Sequence, residues 1–133
     1  MNAHTILVIE DNPLNLELVT DLLEACGFTV RQSRTATDGL RAAREMAPDL
    51  VLMDFGLPDM HGLSATQILK SDPATSHLPV IALTAHAMKG DEASALQAGC
   101  DGFLTKPIDT RTFATTVRYF LSRKIPFTST QAA

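Results

Sequence analysis

The chain has 133 residues, a length that suits one domain of ordinary size, and its formal net charge is −4. It has no basic cluster with which to bind nucleic acid directly, and no apolar run approaches the ~20 residues of a transmembrane helix. The N-terminus lacks the charged and apolar regions of a signal peptide, so we expect a cytoplasmic protein without direct contact to a membrane. Cys26 and Cys100 have no metal-ligand spacing and are predicted to be small buried side chains.

Five apolar runs bounded by turn-forming residues predict five strands, and a segment of helical periodicity follows each run. The predicted strands span residues 5–9, 28–32, 50–53, 79–84 and 101–105. The predicted helices span residues 13–26, 35–47, 60–70, 87–99 and 110–123. This alternation predicts an α/β fold, a parallel sheet with helices on both faces. The less apolar second strand is expected at an edge of the sheet.

Capping and turn residues set the ends of the predicted helices. The side chains that suit an N-cap are those of Asn12, of Thr35 or Thr37, and of Asp109 or Thr110. Pro13 fits the first turn of the first helix, whereas Gly27 and Pro48 would end the first and second helices. The inner side of the second helix is predicted to consist of Leu40, Ala43, Met46 and Ala47.

The first helix carries two apolar stripes at three- and four-residue steps. The stripe that is predicted to face the core consists of Leu16, Val19, Leu23 and Cys26. The second stripe consists of Leu14, Leu18 and Leu22, so the helix is apolar over more of its circumference than one buried face requires. Two interpretations of the second stripe stay open: it is also core, or it is a partly exposed docking surface.

Polar side chains occur where four of the five predicted strands end. These residues are Glu10 and Asp11, Asp54, Thr84 and Lys106. Because the carboxyl ends of parallel strands lie at one edge of a sheet, the five side chains are expected to converge. Each residue alone has a plain structural explanation as a turn, loop or surface residue. Their coincidence at successive strand ends favours a functional site.

Three carboxylates that crowd together repel one another, and a divalent cation and a lysine ammonium can relieve that repulsion. A small set of hard oxygen ligands suits Mg²⁺, which keeps some waters and shares phosphate oxygens. If a phosphoryl group is added, Asp54 would be the nucleophile that forms an aspartyl-phosphate. Mg²⁺ and Lys106 would neutralise charge on the transferring oxygens, and the Thr84 hydroxyl would donate a hydrogen bond to one of them.

From Thr5 to about Arg123 the sequence resembles the response-regulator receiver family of two-component signalling. The motifs behind the resemblance are Glu10-Asp11-Asn12, Asp54 in LMDFGLPDMHG, Thr84 in ALTAHAMKGDE, and Lys106-Pro107 after DGFLT. The family implies a doubly wound, flavodoxin-like (βα)5 fold with strand order 2-1-3-4-5. It also implies Mg²⁺-dependent transfer of phosphate from a partner histidine to Asp54, with reversal by hydrolysis. The fourth-strand motif is similar to those of phosphorelay and hybrid-kinase receivers and of stand-alone DivK-type regulators.

The resemblance implies further roles for individual residues. The metal ligands would be Glu10, Asp11, Asp54 and the main-chain carbonyl of Gly56. Thr84 and Phe103 would form the switch, and Gly56 and His86 would tune hydrolysis of the acyl phosphate. The surface that docks a histidine kinase or a histidine phosphotransferase would consist of Leu14, Asn15, Leu18, Leu22, Pro107 and Ile108.

Three positions depart from the family's pattern without removing an essential group. Glu10 replaces the commoner Asp and gives a longer arm that would reach the metal through water. Phe103 replaces Tyr, so the ring can be buried without a hydrogen-bond partner. Phe55 is bulkier than the aliphatic residue usual at its position.

We therefore expect a single-domain response regulator, with the receiver domain over residues 1–124 and a short tail over 125–133. No output domain follows the last helix, so the signal is expected to pass to a downstream target through protein–protein contacts. The chain would be a self-phosphorylating and slowly self-dephosphorylating switch rather than an enzyme, present as a monomer or weak dimer.

Four other functions make different demands on these residues. A phosphate shuttle to a histidine phosphotransferase would use the same residues. A Mg²⁺-dependent phosphatase would want an acid two residues after the nucleophile, where Gly56 stands. A flavodoxin-like binder would need a loop rich in Ser, Thr and Gly after the first strand, but the acidic pair there would repel phosphate without a metal. A receiver domain excised from a hybrid kinase would look alike, although Met1 and the short tail favour a complete small protein.

Overall fold

The computed structural model describes residues 4–84, 99–106 and 108–123. Its strands are Thr5–Ile9 (β1), Thr29–Ser33 (β2), Leu50–Asp54 (β3), Val80–Thr84 (β4) and Gly102–Thr105 (β5). Its helices within the described residues are Pro13–Ala25 (α1), Ala36–Met46 (α2), Gly62–Ser71 (α3) and Phe113–Arg123 (α4). Most of the helix predicted over 87–99 and the tail predicted over 125–133 lie outside the described residues.

The five strands form one parallel sheet in the order β2-β1-β3-β4-β5, which confirms the predicted fold class and the edge position of the second strand. Every residue of β3 and β4 is buried. Strands covered on both faces are expected to be continuous apolar runs, and that pattern is what identified them in the sequence. The register places Met53 of β3 beside Ile9 of β1, and Asp54 beside Leu83 of β4.

Each face of the sheet carries its own layer of apolar side chains, because alternate residues of a strand point to opposite faces. On one face α2 and α3 cover a cluster that includes Leu7, Val51 and Val80. On the other face α1 and α4 cover a cluster that includes Ile6 and Leu52. The first stripe of α1 lies in this second layer, with Cys26 half-buried at its end.

The inner side of α2 differs from the prediction at one residue. Ala43 is buried, and Leu40 and Met46 pack against the core, but Ala47 is exposed and ends the helix with a left-handed backbone (φ 49°). Proline disfavours the α conformation in the residue before it, so Pro48 ends the helix one residue earlier than the apolar pattern suggests. The fully buried row consists of small residues, Ala36, Gly39, Ala42 and Ala43, and a Cβ at position 39 would overlap the side chain of Ile9. The helix therefore lies close to β1.

Capping side chains explain where the helices begin. Asn12 Oδ1 accepts hydrogen bonds from the N–H groups of Leu14 and Asn15, as predicted for an N-cap. The third helix begins at Gly62 rather than Met60, because His61 Nδ1 accepts the N–H of Leu63 and takes the cap position. The helices in the described part of the chain are all too short or too polar to span a bilayer.

Candidate functional site

Two buried acidic residues lie at the ends of neighbouring strands. Glu10 directly follows β1 and Asp54 is the last residue of β3, and the exposed fractions of the two residues are 0% and 4%. The Glu10 N–H donates to the Ser33 carbonyl at 2.9 Å, which extends the β1–β2 pairing to the point where the acidic side chain projects. Asp11, half-buried, completes a group of three in which one carboxylate oxygen from each residue lies within 4.8 Å of the others.

Lys106 brings a positive charge to this cluster. Its Nζ lies 2.9 Å from Glu10 Oε1 and donates to Asp54 Oδ1 at 3.0 Å. Its main-chain N–H donates to the Thr84 carbonyl at 2.7 Å, so the pairing of β4 and β5 places the lysine at the sheet edge. The predicted convergence is confirmed for Glu10, Asp11, Asp54 and Lys106. The chemical roles of these residues stay predictions.

The electrostatics of the cluster are unbalanced. Burial raises the pKa of Glu10, and the charge of Asp54 acts in the same direction, so together they outweigh the Lys106 ammonium and the Asn12 N–H. Burial alone would lower the pKa of Lys106, but hydrogen bonds and charges of the two carboxylates raise it above its ordinary value. The lysine is therefore held firmly as a cation, whereas the positive charge near Glu10 does not offset the cost of burying its carboxylate.

The donor set fits a hard divalent cation. Glu10 Oε1 is fully buried and faces the Lys106 ammonium at 2.9 Å, and because a carboxylate oxygen has two lone pairs it can accept a further ligand. Among the described residues the possible metal ligands in this group are three carboxylates, and oxygen donors of this kind suit Mg²⁺ better than a transition metal.

The β3–α3 loop folds back over the nucleophile candidate. The N–H of Gly56 donates to Asp54 Oδ1 at 3.2 Å, and the N–H of Phe55 donates to the Leu83 carbonyl at 3.0 Å. A Cβ on Gly62 would lie only 2.8 Å from Phe55 Cα, so a glycine lets α3 begin directly against this loop. The main chain of Gly56 thus lies beside the acidic cluster, and its role as a metal ligand stays a prediction.

Thr84 and Phe103 occupy the same face of the sheet. Thr84 is buried at the end of β4, and Phe103 pairs with Ala82, two residues earlier on that strand. Because residues two apart share a face, the Phe103 ring lies diagonally behind Thr84, half-buried against the α2–α3 layer. This placement is the one a switch pair would need, but the switch role stays a prediction. The hydrolysis-tuning candidate His86 lies outside the described residues.

The second leucine stripe of α1 is not core. Leu14 is 75% exposed and Leu18 is 38% exposed, whereas Leu22 is half-buried against the α1–α4 layer. The core interpretation is therefore wrong for the first two leucines. Asn15 and Ile108 are half-buried, and Pro107 lies outside the described residues.

The sequence patterns did not indicate a role for Asp59. The carboxylate of Asp59, in the β3–α3 loop, accepts hydrogen bonds from the N–H groups of Ala36 and Thr37 and from the Thr37 hydroxyl. The Thr37 and Ala36 donors lower the pKa of Asp59 to about 2. An Asp in a turn is too common to have indicated these partners, which lie more than twenty residues away in sequence.

Comparisons with known proteins agree with this geometry. The family model for the response regulator receiver domain matches residues 6–118. The polar-differentiation response regulator DivK of Brucella ovis is 44% identical over 117 residues, which are 88% of this chain and 95% of that protein. A putative response regulator from Chloroflexus aurantiacus has a TM-score of 0.88 at 25% identity, over 92% of this chain and 100% of that one.

A second solved structure is similar over the same region. It is the receiver domain of a sensor histidine kinase from Pseudomonas aeruginosa, with a magnesium ion coordinated in its active site cleft. It is 31% identical with a TM-score of 0.84, and the match covers 91% of this chain and 99% of that one. The chain therefore belongs to the response regulator receiver domain family.

Proposed function

We propose that the protein is a single-domain response regulator that accepts a phosphoryl group from a phosphohistidine onto Asp54. The observation that carries the proposal is the buried Asp54 carboxylate at a strand end, 3.0 Å from the Lys106 ammonium and beside two further acids. The similarity to DivK, at 44% identity over 95% of that protein, supports a regulator of the DivK type.

The chemistry is a transfer between two nucleophiles. Oδ1 of Asp54 accepts both hydrogen bonds that the described residues donate to this carboxylate, from Lys106 and from Gly56, so we assign the attack on phosphorus to Oδ2. A new O–P bond forms as the P–N bond of the phosphohistidine breaks, and the imidazole nitrogen keeps the electron pair and takes up a proton. Lys106 then neutralises charge on the phosphoryl oxygens.

Glu10, Asp11, Asp54 and the Gly56 carbonyl are the residues that would hold a metal ion. A bound Mg²⁺ would supply further neutralisation of the charge on the phosphoryl oxygens. The magnesium-containing receiver from Pseudomonas supports this assignment, as does the buried Glu10 carboxylate, whose pKa is raised by burial and by the charge of Asp54. Spontaneous hydrolysis of the acyl phosphate would return the protein to its resting state.

The signal would travel through contact surfaces. Thr84 would donate its hydroxyl to a phosphoryl oxygen, and Phe103 would move into the space behind it. The exposed leucines of α1, with Asn15 and Ile108, are proposed to dock the histidine kinase or histidine phosphotransferase. The two free cysteines suit the reducing cytoplasm, where such a partner and a downstream target protein would meet the chain.

The proposal is tested by locating the phosphate. The protein is incubated with a phosphohistidine-bearing phosphotransfer protein and Mg²⁺, and the acyl phosphate is reduced with borohydride, which converts a phosphorylated Asp to homoserine. Peptide mass spectrometry should find homoserine at position 54, and Asp54→Asn should abolish the label. The matched control Asp21→Asn, on the surface of α1, should be labelled normally. Labelling of another residue, or full labelling of Asp54→Asn, would overturn the assignment.

A further inference from the structure

The side chain of Asp59 links the β3–α3 loop to the N-terminus of α2 through hydrogen bonds. Asp59 Oδ1 accepts the N–H of Ala36 at 2.8 Å, and Oδ2 accepts the N–H of Thr37 at 2.9 Å and its hydroxyl at 2.7 Å. The helix's own N-cap, Thr35, accepts only the N–H of Asp38, at 3.1 Å. The first two amides of α2 therefore depend on a residue of the loop for their hydrogen bonds.

The hydrogen bonds that Asp59 accepts from α2 are strengthened by its negative charge. A carboxylate at a helix N-terminus interacts favourably with the helix dipole, and hydrogen bonds to an ionised acceptor are stronger than neutral ones. The Thr37 and Ala36 donors lower the pKa of Asp59 to about 2, against the opposite effect of burial. At neutral pH the loop is thus tied to α2 by a permanently charged group.

Only Leu57 and Pro58 lie between Asp59 and Gly56, and both restrict the segment. Leu57, next to Gly56, is buried in the α2–α3 layer, and Pro58 restricts the backbone between Leu57 and Asp59. On its other side, Gly56 is held by its own N–H, which donates to Asp54 Oδ1. Asp59 fixes the outer end of this segment, so loss of its hydrogen bonds would widen the range of positions open to the Gly56 main chain, only two residues away.

We propose that Asp59 is a positioning residue for cation binding, which holds the main chain of Gly56 beside the acidic cluster by tying the β3–α3 loop to α2. The inference rests on the proposed function, in which the Gly56 carbonyl is a ligand of Mg²⁺. It assigns to α2, a helix that contributes no ligand, a part in the affinity of the site.

The test measures Mg²⁺ affinity directly, by titration calorimetry on the full-length protein without a phosphoryl donor. Asp59→Ala should bind Mg²⁺ about tenfold more weakly, the size of effect that residues supporting metal ligands commonly have. Asp38→Ala is the matched control: it removes a carboxylate from the first turn of α2, where Asp38 interacts with Ser33 of β2 and with Arg41. The control should bind Mg²⁺ as the wild type does.

Thr37→Val provides a gentler variant in case Asp59→Ala does not fold. It removes the hydroxyl donor and keeps both main-chain hydrogen bonds, so it should weaken Mg²⁺ binding in the same direction but less. Combining it with Asp59→Ala should weaken binding no further than Asp59→Ala alone, because the two substitutions break one interaction. Independent, additive losses would overturn the inference.

Phosphorylation kinetics separate positioning from a merely structural role. In Asp59→Ala the Mg²⁺ concentration that gives half-maximal phosphorylation should rise by the same factor as the dissociation constant, while the rate at saturating Mg²⁺ is unchanged. A lower melting temperature with unchanged Mg²⁺ affinity would overturn the inference. If the wild type neither binds Mg²⁺ nor accepts phosphate, the proposed function itself fails.

Discussion

Lys106 Nζ donates a hydrogen bond to Asp54 Oδ1 over 3.0 Å, so a side chain from the end of β5 reaches a carboxylate at the end of β3 across the intervening strand β4. The main chain of the same lysine is bonded to Thr84 at the end of β4. The position of the ammonium therefore depends on the pairing of β4 with β5, and three strands contribute to one charge pair.

The first prediction concerns this lysine. Lys106→Met should phosphorylate about 100-fold more slowly at saturating Mg²⁺, because it removes a preorganised donor from the transferring oxygens. Lys70→Met is a matched control, since Lys70 forms an ion pair of the same 3.0 Å length with Asp101. Stopped-flow phosphorylation with a small-molecule donor measures both rates. Equal slowing of the two variants would contradict a specific role for Lys106.

The raised pKa of Glu10 predicts how stability depends on pH when metal is removed. A carboxyl whose folded-state pKa lies above its ordinary value of 4.5 contributes stability below that value and loses it as the pH rises through the folded-state pKa. In EDTA the urea midpoint of the wild type should therefore fall as the pH rises above 4.5. Glu10→Gln, a neutral isostere, should flatten this fall, whereas Glu17→Gln on the surface of α1 should not.

Mg²⁺ should oppose the same loss of stability. A cation that binds the ionised carboxylates stabilises the folded state by mass action, and more so as the acids lose their protons. Adding saturating Mg²⁺ should raise the wild-type midpoint at neutral pH, and should raise that of Glu10→Gln less, because one carboxylate of the cluster is gone. If the urea midpoints of wild type and Glu10→Gln in EDTA change in parallel above pH 4.5, Glu10 does not titrate in this pH range and both predictions fail.

The switch is tested at Thr84. Thr84→Ala should accept phosphate and yet fail to pass the change to Phe103, because the hydroxyl that would bind a phosphoryl oxygen is gone. Amide chemical shifts of β5 with and without beryllofluoride, a mimic of the phosphoryl group, measure the coupling. Thr84→Ser keeps the hydroxyl and should retain most of the shift changes. Wild-type shifts in phosphorylated Thr84→Ala would refute the coupling.

The exposed leucines of α1 predict a defect that depends on the phosphate donor. Leu14→Ser with Leu18→Ser should slow transfer from a phosphotransfer protein at least tenfold, because apolar contact area at the centre of an interface is lost. Phosphorylation by a small-molecule donor should be unchanged. Ile68→Ser is the control, since Ile68 is an apolar residue on α3 that is about as exposed as Leu18. A similar slowing by Ile68→Ser would remove the assignment of this surface.

Several features of the fold and the site follow from local sequence. Buried parallel strands are continuous apolar runs that end at turn residues, so the positions of Asp54 and Lys106 at one edge could be predicted before any coordinates. Asn12 and Gly27 mark the ends of α1 by the chemistry of capping, and the structure confirms both.

Other features depend on contacts that sequence pattern does not contain. The apolar stripe of α2 continues to Ala47, but the proline that follows ends the helix first. The second stripe of α1 has the same local pattern as a core face, and only the packing of the whole sheet leaves Leu14 outside. The partners of Asp59 lie in another segment of the chain, so no window of neighbouring residues could have revealed them.

The bonds that Asp59 accepts from α2 have a consequence for hydrogen exchange. The amide protons of Ala36 and Thr37 would ordinarily be among the fastest to exchange in a helix, since the first turn has no intrahelical acceptors for them. Because both amides donate to Asp59, we expect their exchange to require these bonds to break, as when the loop beside Asp54 moves away from α2. Their deuterium uptake therefore reports, from a helix that carries none of the reacting groups, how often the site opens.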